Sequence, residues 1–236
     1  MSEQDNILWV ASFDMGKKNF AFYIEEFKKN HLQTLTKIPK SQRYNDDGSP
    51  TQEFEEILDK VYTNGEKILF KVVDLTNNCK KGSYLDPETF YNMTEVLDRY
   101  SEYWEQCDVF LIERQMSQAK QFNTMALKLG QHCWSYFSFK YLRSKQIIEF
   151  PAYYKTQVLG AEKTLNLTKA GKTRYKAMDK PTRKKWSVKK ALEILNKRND
   201  GETLLELTSA RKRDDLADVL CQLQAFKILS YIDKSI

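Results

Sequence analysis

The sequence predicts an α/β fold: a mixed five-stranded sheet with helices on both faces. Three observations point there. Two apolar, β-rich runs near the start lie close enough to form a hairpin. Strand-like and helix-like segments then alternate. One later run, DVFLIE at 108–113, is short and nearly all apolar, as a central strand covered on both faces would be.

The elements follow in order. Residues 7–13, ILWVASF, are rich in β-formers and end at Asp14-Met15-Gly16, where Gly16 marks a turn. Residues 20–24, FAFYI, supply the second strand of the hairpin. Residues 28–66 are polar, with turn signals at Asp46-Asp47-Gly48-Ser49-Pro50, and read as an insertion or long loop with a short helix at 53–62. Residues 67–75, KILFKVVDL, give a third strand. Asp86-Pro87-Glu88 pairs a capping acid with proline at the first helical position, so one helix starts there and runs to about Gln106. After the central strand, residues 117–142 are helical, with Phe122, Met125, Ala126, Leu129 and Cys133 in one apolar stripe. The aromatic end of that segment, with Trp134 and Phe139, reads as core packing or as a contact surface. Residues 145–150 are the fifth strand, stopped by Pro151. Helices at 182–197 and about 214–231 complete a chain read as one domain, 1–236.

Composition narrows the function. Of 236 residues, 41% are hydrophobic, enough for a substantial core, yet no run of about 18 apolar residues could span a membrane. Residues 1–6 have neither the basic region nor the apolar stretch of a secretory signal, and no Arg-rich transit segment stands out. Cys79, Cys107, Cys133 and Cys221 are scattered and accompany only His31 and His132, which argues for reduced thiols in an intracellular protein and against structural zinc. The net charge of +6 is uneven: residues 163–190 hold 11 basic side chains against Asp179 alone, a net +10 that leaves the remainder at −4. Such a segment suits a polyanion, usually nucleic-acid phosphate, or is a solvated lysine-rich loop.

Acids stand at the ends of elements. Asp14 closes the first strand and Glu113 the central one, in LIERQ; Asp215 and Asp218 fall on the last helix, in RKRDDLADVL. A carboxylate beside buried neighbours is costly unless a metal ion or a salt bridge accompanies it. With Asp215 set at 0°, the apolar face of the last helix centres near 75°, and Asp218 lies about 60° from Asp215 on the same flank. Asp214 points nearly opposite the core and reads as a cap or first-turn acid. Carboxylates without histidine or clustered cysteine favour Mg²⁺ or Mn²⁺ over Zn²⁺.

These motifs carry a resemblance. FDMGKKN at 13–19 resembles the first strand and turn of RuvC-like nucleases, LIERQ at 111–115 their central-strand Glu motif, and RKRDDLADVLCQ at 211–222 their C-terminal helix motif. Together they are most similar to poxvirus and fungal mitochondrial Holliday-junction resolvases. The resemblance implies a ribonuclease H-like sheet and a homodimer that cuts four-way DNA junctions symmetrically. It implies two Mg²⁺ ions per site, Mn²⁺ substituting, held by Asp14, Glu113, Asp215 and Asp218. It also implies a lysine near the scissile phosphate: Lys155 in PAYYK is the candidate, with Lys163 nearby. The basic segment, 156–190, then becomes a DNA-binding one, with Lys163, Lys172, Arg174, Lys176, Arg183, Lys184 and Lys185 on phosphates. The long 28–66 segment departs from the shortest family members. A cytoplasmic setting, such as a viral replication site, is expected, with a mitochondrial one left open.

Three rival readings stay on the table. A ribonuclease H or transposase-like nuclease would share the fold and cut a hybrid instead of a junction. A branched-DNA-binding module would bind without metal and cut nothing. An actin-like phosphotransferase also opens with an acidic turn, but it needs glycine-rich phosphate loops, and the eight glycines here form no such cluster.

Overall fold

The structure is a computed structural model that describes residues 6–80, 86–115, 123–167 and 173–236. The strands are β1 (Ile7–Asp14), β2 (Phe20–Lys28), β3 (Glu66–Val73), β4 (Val109–Arg114), β5 (Gln146–Pro151), β6 (Thr164–Leu167) and β7 (Thr173–Lys176). The helices are α1 (Lys29–Gln33), α2 (Gln52–Thr63), α3 (Pro87–Arg99), α4 (Ser101–Gln106), α5 (Thr124–Tyr141), α6 (Tyr153–Val158), α7 (Lys180–Lys197), α8 (Gly201–Ser209) and α9 (Arg213–Lys227). A π-helical turn, Ile228–Ile232, continues α9. Two compact units result: Met1–Phe27 with Glu66–Ala152, and Lys28–Gly65 with Tyr153–Ile236.

The first unit is built on the predicted mixed five-stranded sheet, in the order β3-β2-β1-β4-β5. β1, β4 and β5 run parallel, and β2 pairs antiparallel with β3. Strand alternation sends Phe13, Phe22, Phe110 and Ile112 into one core with Trp104 and Phe137. There Phe110 and Phe137 stack at 3.9 Å, and the Trp104 indole N–H donates to the Leu97 carbonyl at 2.7 Å. Val10, Tyr23 and Leu111 point to the opposite face and are also buried. Burying an aromatic ring of this kind contributes roughly 2–3 kcal/mol.

Two helices of this unit refine the expectations. Asp86 caps α3 as predicted, its carboxylate accepting from the Glu88 N–H, with Pro87 at the first position. That helix does not run on to Gln106. It breaks at Tyr100 (φ −104°, ψ 18°), and α4 then turns Trp104 into the core. Asn123 caps α5 by accepting from the Ala126 N–H at 3.2 Å, and Ala126, Leu129 and Cys133 of the predicted stripe are buried. Phe122 and the start expected at residue 117 lie outside the described residues.

The second unit is mainly helical. The short helix expected at 53–62 is α2, and it buries Phe54, Ile57, Leu58, Val61 and Tyr62, an i, i+3, i+4, i+7, i+8 stripe. Residues 28–66 are thus more than a loop. α9 packs against α6, α7 and α8, and every residue from Val219 to Lys227 is buried. Buried Lys227 donates to the carbonyls of Val61 and Asn64 at 2.8 and 2.6 Å, closing the C-terminal end of α2. Arg43 Nη2 meets Asp233 Oδ1 at 2.6 Å, so the 28–66 segment is also tied to the chain's end. The hairpin β6–β7, the short α6 and the short α8 were not anticipated; each is too brief for its periodicity to register. Among the described residues no helix is long and apolar enough to cross a membrane.

Candidate active site

In the first unit the site begins with backbone register. β1 and β4 are parallel neighbours paired Val10 to Val109 through Phe13 to Ile112, so Asp14 falls beside Glu113 at their C-terminal ends. Neighbouring strands lie about 4.8 Å apart. Phe13 and Ile112 face the aromatic core, so alternation turns Asp14 and Glu113 together to the other face. Both are half-buried and take part in polar interactions. The edge where the parallel strands end is the usual place for a site in such sheets.

In the second unit the acids sit in the first two turns of α9. Asp214 and Asp215 are first-turn residues, and the cap position is Lys212, whose side chain makes no capping bond. Asp214 is therefore the predicted first-turn acid and not the cap. Lys184, from α7, contacts the Asp214 carboxylate closely and stands 4.0 Å from Asp215. Lys155, from α6, places Nζ 3.4 Å from Asp218 Oδ2, and its side chain is only 6% exposed. The lysine after the fifth strand thus meets an acid of the last motif.

The electrostatics follow from this packing. Burial pushes the Asp214 carboxyl up, but the hydrogen bond and charge of the Lys184 ammonium, with a backbone hydrogen bond and the charge of Lys212, together outweigh it and hold the group below its ordinary value. Burial and then the neighbouring Asp214 raise Asp215, with Lys184 opposing. Burial lowers Lys184, yet its bond to Asp214 and the charges of Asp214, Asp215 and Asp218 carry it above the usual lysine value. Two adjacent acids under the same cation therefore separate in proton affinity.

Hard carboxylate oxygens are the donors that Mg²⁺ takes, and each unit carries two of the acids expected as its ligands: Asp14 and Glu113 in the first, Asp215 and Asp218 in the second. Among the described residues no group of three His, Cys, Asp or Glu side chains is drawn close enough to hold a metal ion; the acids of α9 are met by ammonium groups. The pairing of Lys184 with Asp214 was not foreseen, since Lys184 was expected on phosphate. No local signal could show it, because the partners are thirty positions apart and meet only through the packing of α7 on α9.

The basic segment divides. Arg174 and Lys176 project from β7, whose residues are all exposed, and Arg183 and Lys185 are exposed on the first turns of α7. Lys163 lies just before β6, its N–H donating to the Asp47 carbonyl at 2.6 Å. Lys172 lies outside the described residues.

No family model matches the chain. Uncharacterized protein 170L of Invertebrate iridescent virus 6 is 36% identical over 249 residues, covering 98% of this chain and 94% of its own. Uncharacterized protein 97L of Invertebrate iridescent virus 3 is 31% identical over 224 residues, covering 92% and 98%. Among solved structures, the Fowlpox virus resolvase in complex with its substrate Holliday junction DNA is 15% identical and covers 96% of this chain and 98% of its own, with a TM-score of 0.51. That likeness speaks for the fold, and it agrees with the strand order and the mixed pairing. The chain belongs to the family of the iridescent virus proteins 170L and 97L, and its mixed five-stranded sheet has the ribonuclease H-like α/β fold, shared with the Fowlpox virus resolvase.

Proposed function

We propose that this chain is a Mg²⁺-dependent endonuclease that resolves four-way DNA junctions by symmetric two-metal phosphodiester hydrolysis. The observation that carries the reading is the placement of acids at element ends. Asp14 and Glu113 are neighbours on one face at the ends of β1 and β4, and Lys155 of α6 meets Asp218 of α9. The fold likeness to a resolvase crystallised with its junction supports the same reading. The exposed cations of β7 and α7 support a DNA partner.

In this reading Asp14, Glu113, Asp215 and Asp218 hold the metal ions. Divalent magnesium supplies Lewis acidity and charge neutralisation for attack on a phosphodiester. Lys155 keeps an ammonium at Asp218, where it donates to a phosphate oxygen of the strand being cut. Asp214 holds Lys184 beside Asp215, which positions a second cation near the phosphate. Arg174, Lys176, Arg183 and Lys185 contact backbone phosphates and set orientation without reading sequence. Two copies about a two-fold axis would match the two symmetric nicks, so the working form is a homodimer.

The test is incubation of the full chain with a labelled four-way junction, a matched linear duplex and an RNA–DNA hybrid, each with Mg²⁺ or EDTA. Paired, metal-dependent nicks in the junction alone are expected. Cleavage of the hybrid alone would make it a ribonuclease H, and junction binding with no cleavage in Mg²⁺ would sink the enzymatic reading.

A further inference from the structure

The second unit contains a cavity of about 410 Å³ next to the helix that bears Lys155. It lies among the turn at 44–48, one face of α6, the residues that lead into β6 and the start of α7. Its size falls within the range of small-molecule sites, with room for one nucleotide and not for a duplex.

The lining is chemically mixed in a particular way. Tyr153 and Gln157, one turn apart on α6, give the cavity a half-exposed ring and an exposed amide. Tyr153 is braced by Tyr154, their ring centroids 4.6 Å apart. Tyr44 forms a second aromatic wall and is fixed: its hydroxyl donates to the Val158 carbonyl at 2.9 Å, and its ring meets the edge of Phe54 at 5.2 Å. Lys163 and Arg183 add two cations against the single acid Glu162. A stacking ring, an amide able both to donate and to accept, and paired cations match a nucleobase and its phosphate.

The setting of α6 ties this cavity to the reacting strand. Tyr153, Thr156 and Gln157 line the cavity, whereas Lys155 and Val158 of the same helix are buried. We propose that the cavity receives one unstacked nucleotide of the DNA strand, next to the phosphate approached by Lys155, with its base on Tyr153 and its phosphate at Lys163 and Arg183. This deepens the junction-nuclease reading and rests on it. It also gives the 28–66 segment a role, since Tyr44 and Gly48 shape the cavity wall. A branch point is where a duplex can release a single nucleotide at the lowest unstacking cost.

The experiment is a coupling measurement on the full chain, with EDTA present to prevent cleavage. Dissociation constants are measured for a labelled four-way junction and for a set of junctions carrying one abasic site at each position flanking the branch, using wild type, Tyr153→Ala and Tyr153→Phe. One abasic position is expected to weaken wild type by roughly 5- to 150-fold. The same abasic change should cost Tyr153→Ala no more than about twofold, while Tyr153→Phe, which keeps the ring, retains most of the wild-type penalty. Equal abasic penalties in wild type and Tyr153→Ala, or no position-specific penalty at all, would overturn the pocket while leaving junction binding and cleavage intact. Wild type that binds the junction no better than a matched duplex would sink the junction reading and the pocket with it. Micromolar binding of a free deoxynucleoside 5′-monophosphate, lost in Tyr153→Ala and without any abasic penalty, would assign the cavity to a soluble nucleotide instead and also overturn the proposal.

Discussion

In the sheet unit, Asp14 and Glu113 are positioned by main chain: the register of two parallel strands sets them side by side, and alternation turns both to one face. In the helical unit, Asp214, Asp215 and Asp218 are positioned among side chains, with Lys184 at the first pair and Lys155 at the third. The first arrangement survives changes of neighbouring side chains because the ladder fixes it. The second depends on two cations whose removal leaves clustered like charges. The two units should therefore differ in the stability cost of substitution, small at the sheet pair and larger where a lysine leaves the helical acids.

The largest effect is expected from Asp14→Asn and Glu113→Gln. Each substitution keeps the shape and removes the charge, so thermal unfolding should move little, while junction cleavage should fall by about 10²- to 10³-fold or more, several kcal/mol of lost transition-state stabilisation. Single-turnover rates with circular dichroism melting would check both halves. If either variant kept activity within about tenfold of wild type, the sheet pair would not lie at the reacting centre.

Next comes the contrast between the two lysines. Lys155 is 6% exposed at its side chain and Lys184 is 40% exposed. Losing Lys155→Ala takes a cation from a mostly buried carboxylate and is expected to cost about 1–3 kcal/mol. Solvent screens the Lys184 pair, so Lys184→Ala should stay within about 1 kcal/mol. Urea unfolding of the two variants side by side decides the matter, and equal costs would erase the distinction between them.

How far the sequence discloses these placements varies with the kind of contact. The five strands, the cap at Asp86 and the helix at α2 could be read because alternation, capping chemistry and helical periodicity are local. Asp14 and Glu113 stood out as acids that end apolar strands, and Lys155 through its place after the fifth strand. The break at Tyr100 could not be read, because a helix-compatible sequence bends there to bury Trp104 in a core assembled from distant strands. The bond between Lys184 and Asp214 was hidden for the same reason. The cavity beside α6 was hidden too, since the turn at 44–48 and residues 153–163 meet only after folding.

A third contrast lies within the helical unit, between two glycines. Gly160 has φ +74°, and a Cβ there would stand 2.6 Å from Pro50 Cδ, whereas a Cβ at Gly201 would meet nothing within 4 Å. Gly160→Ala should therefore cost about 1–2 kcal/mol from the left-handed backbone alone and push the 44–50 turn outward. Gly201→Ala should be neutral or stabilising by up to about 1 kcal/mol. Denaturant midpoints of the two variants test this, and a harmless Gly160→Ala would mean that the turn yields without strain.

The smallest effect belongs to the sheet unit, at His132, where α5 meets α3. Its Nε2 lies 2.9 Å from the Thr94 hydroxyl, and its ring meets the edge of Phe90 at 5.4 Å. Burial lowers its pKa below the ordinary histidine value, and a bond to the Phe90 backbone only partly opposes that. The unfolded chain therefore takes up the proton first as pH falls. The stabilisation from neutral His132 is fully present above the ordinary histidine pKa of about 6.5 and is lost as pH falls through the lower folded value. Urea midpoints measured on either side of that range should fall further for wild type than for His132→Gln, because the variant has no proton to gain there. Identical losses in the two proteins would show that the α3–α5 contact is insensitive to the charge of this ring.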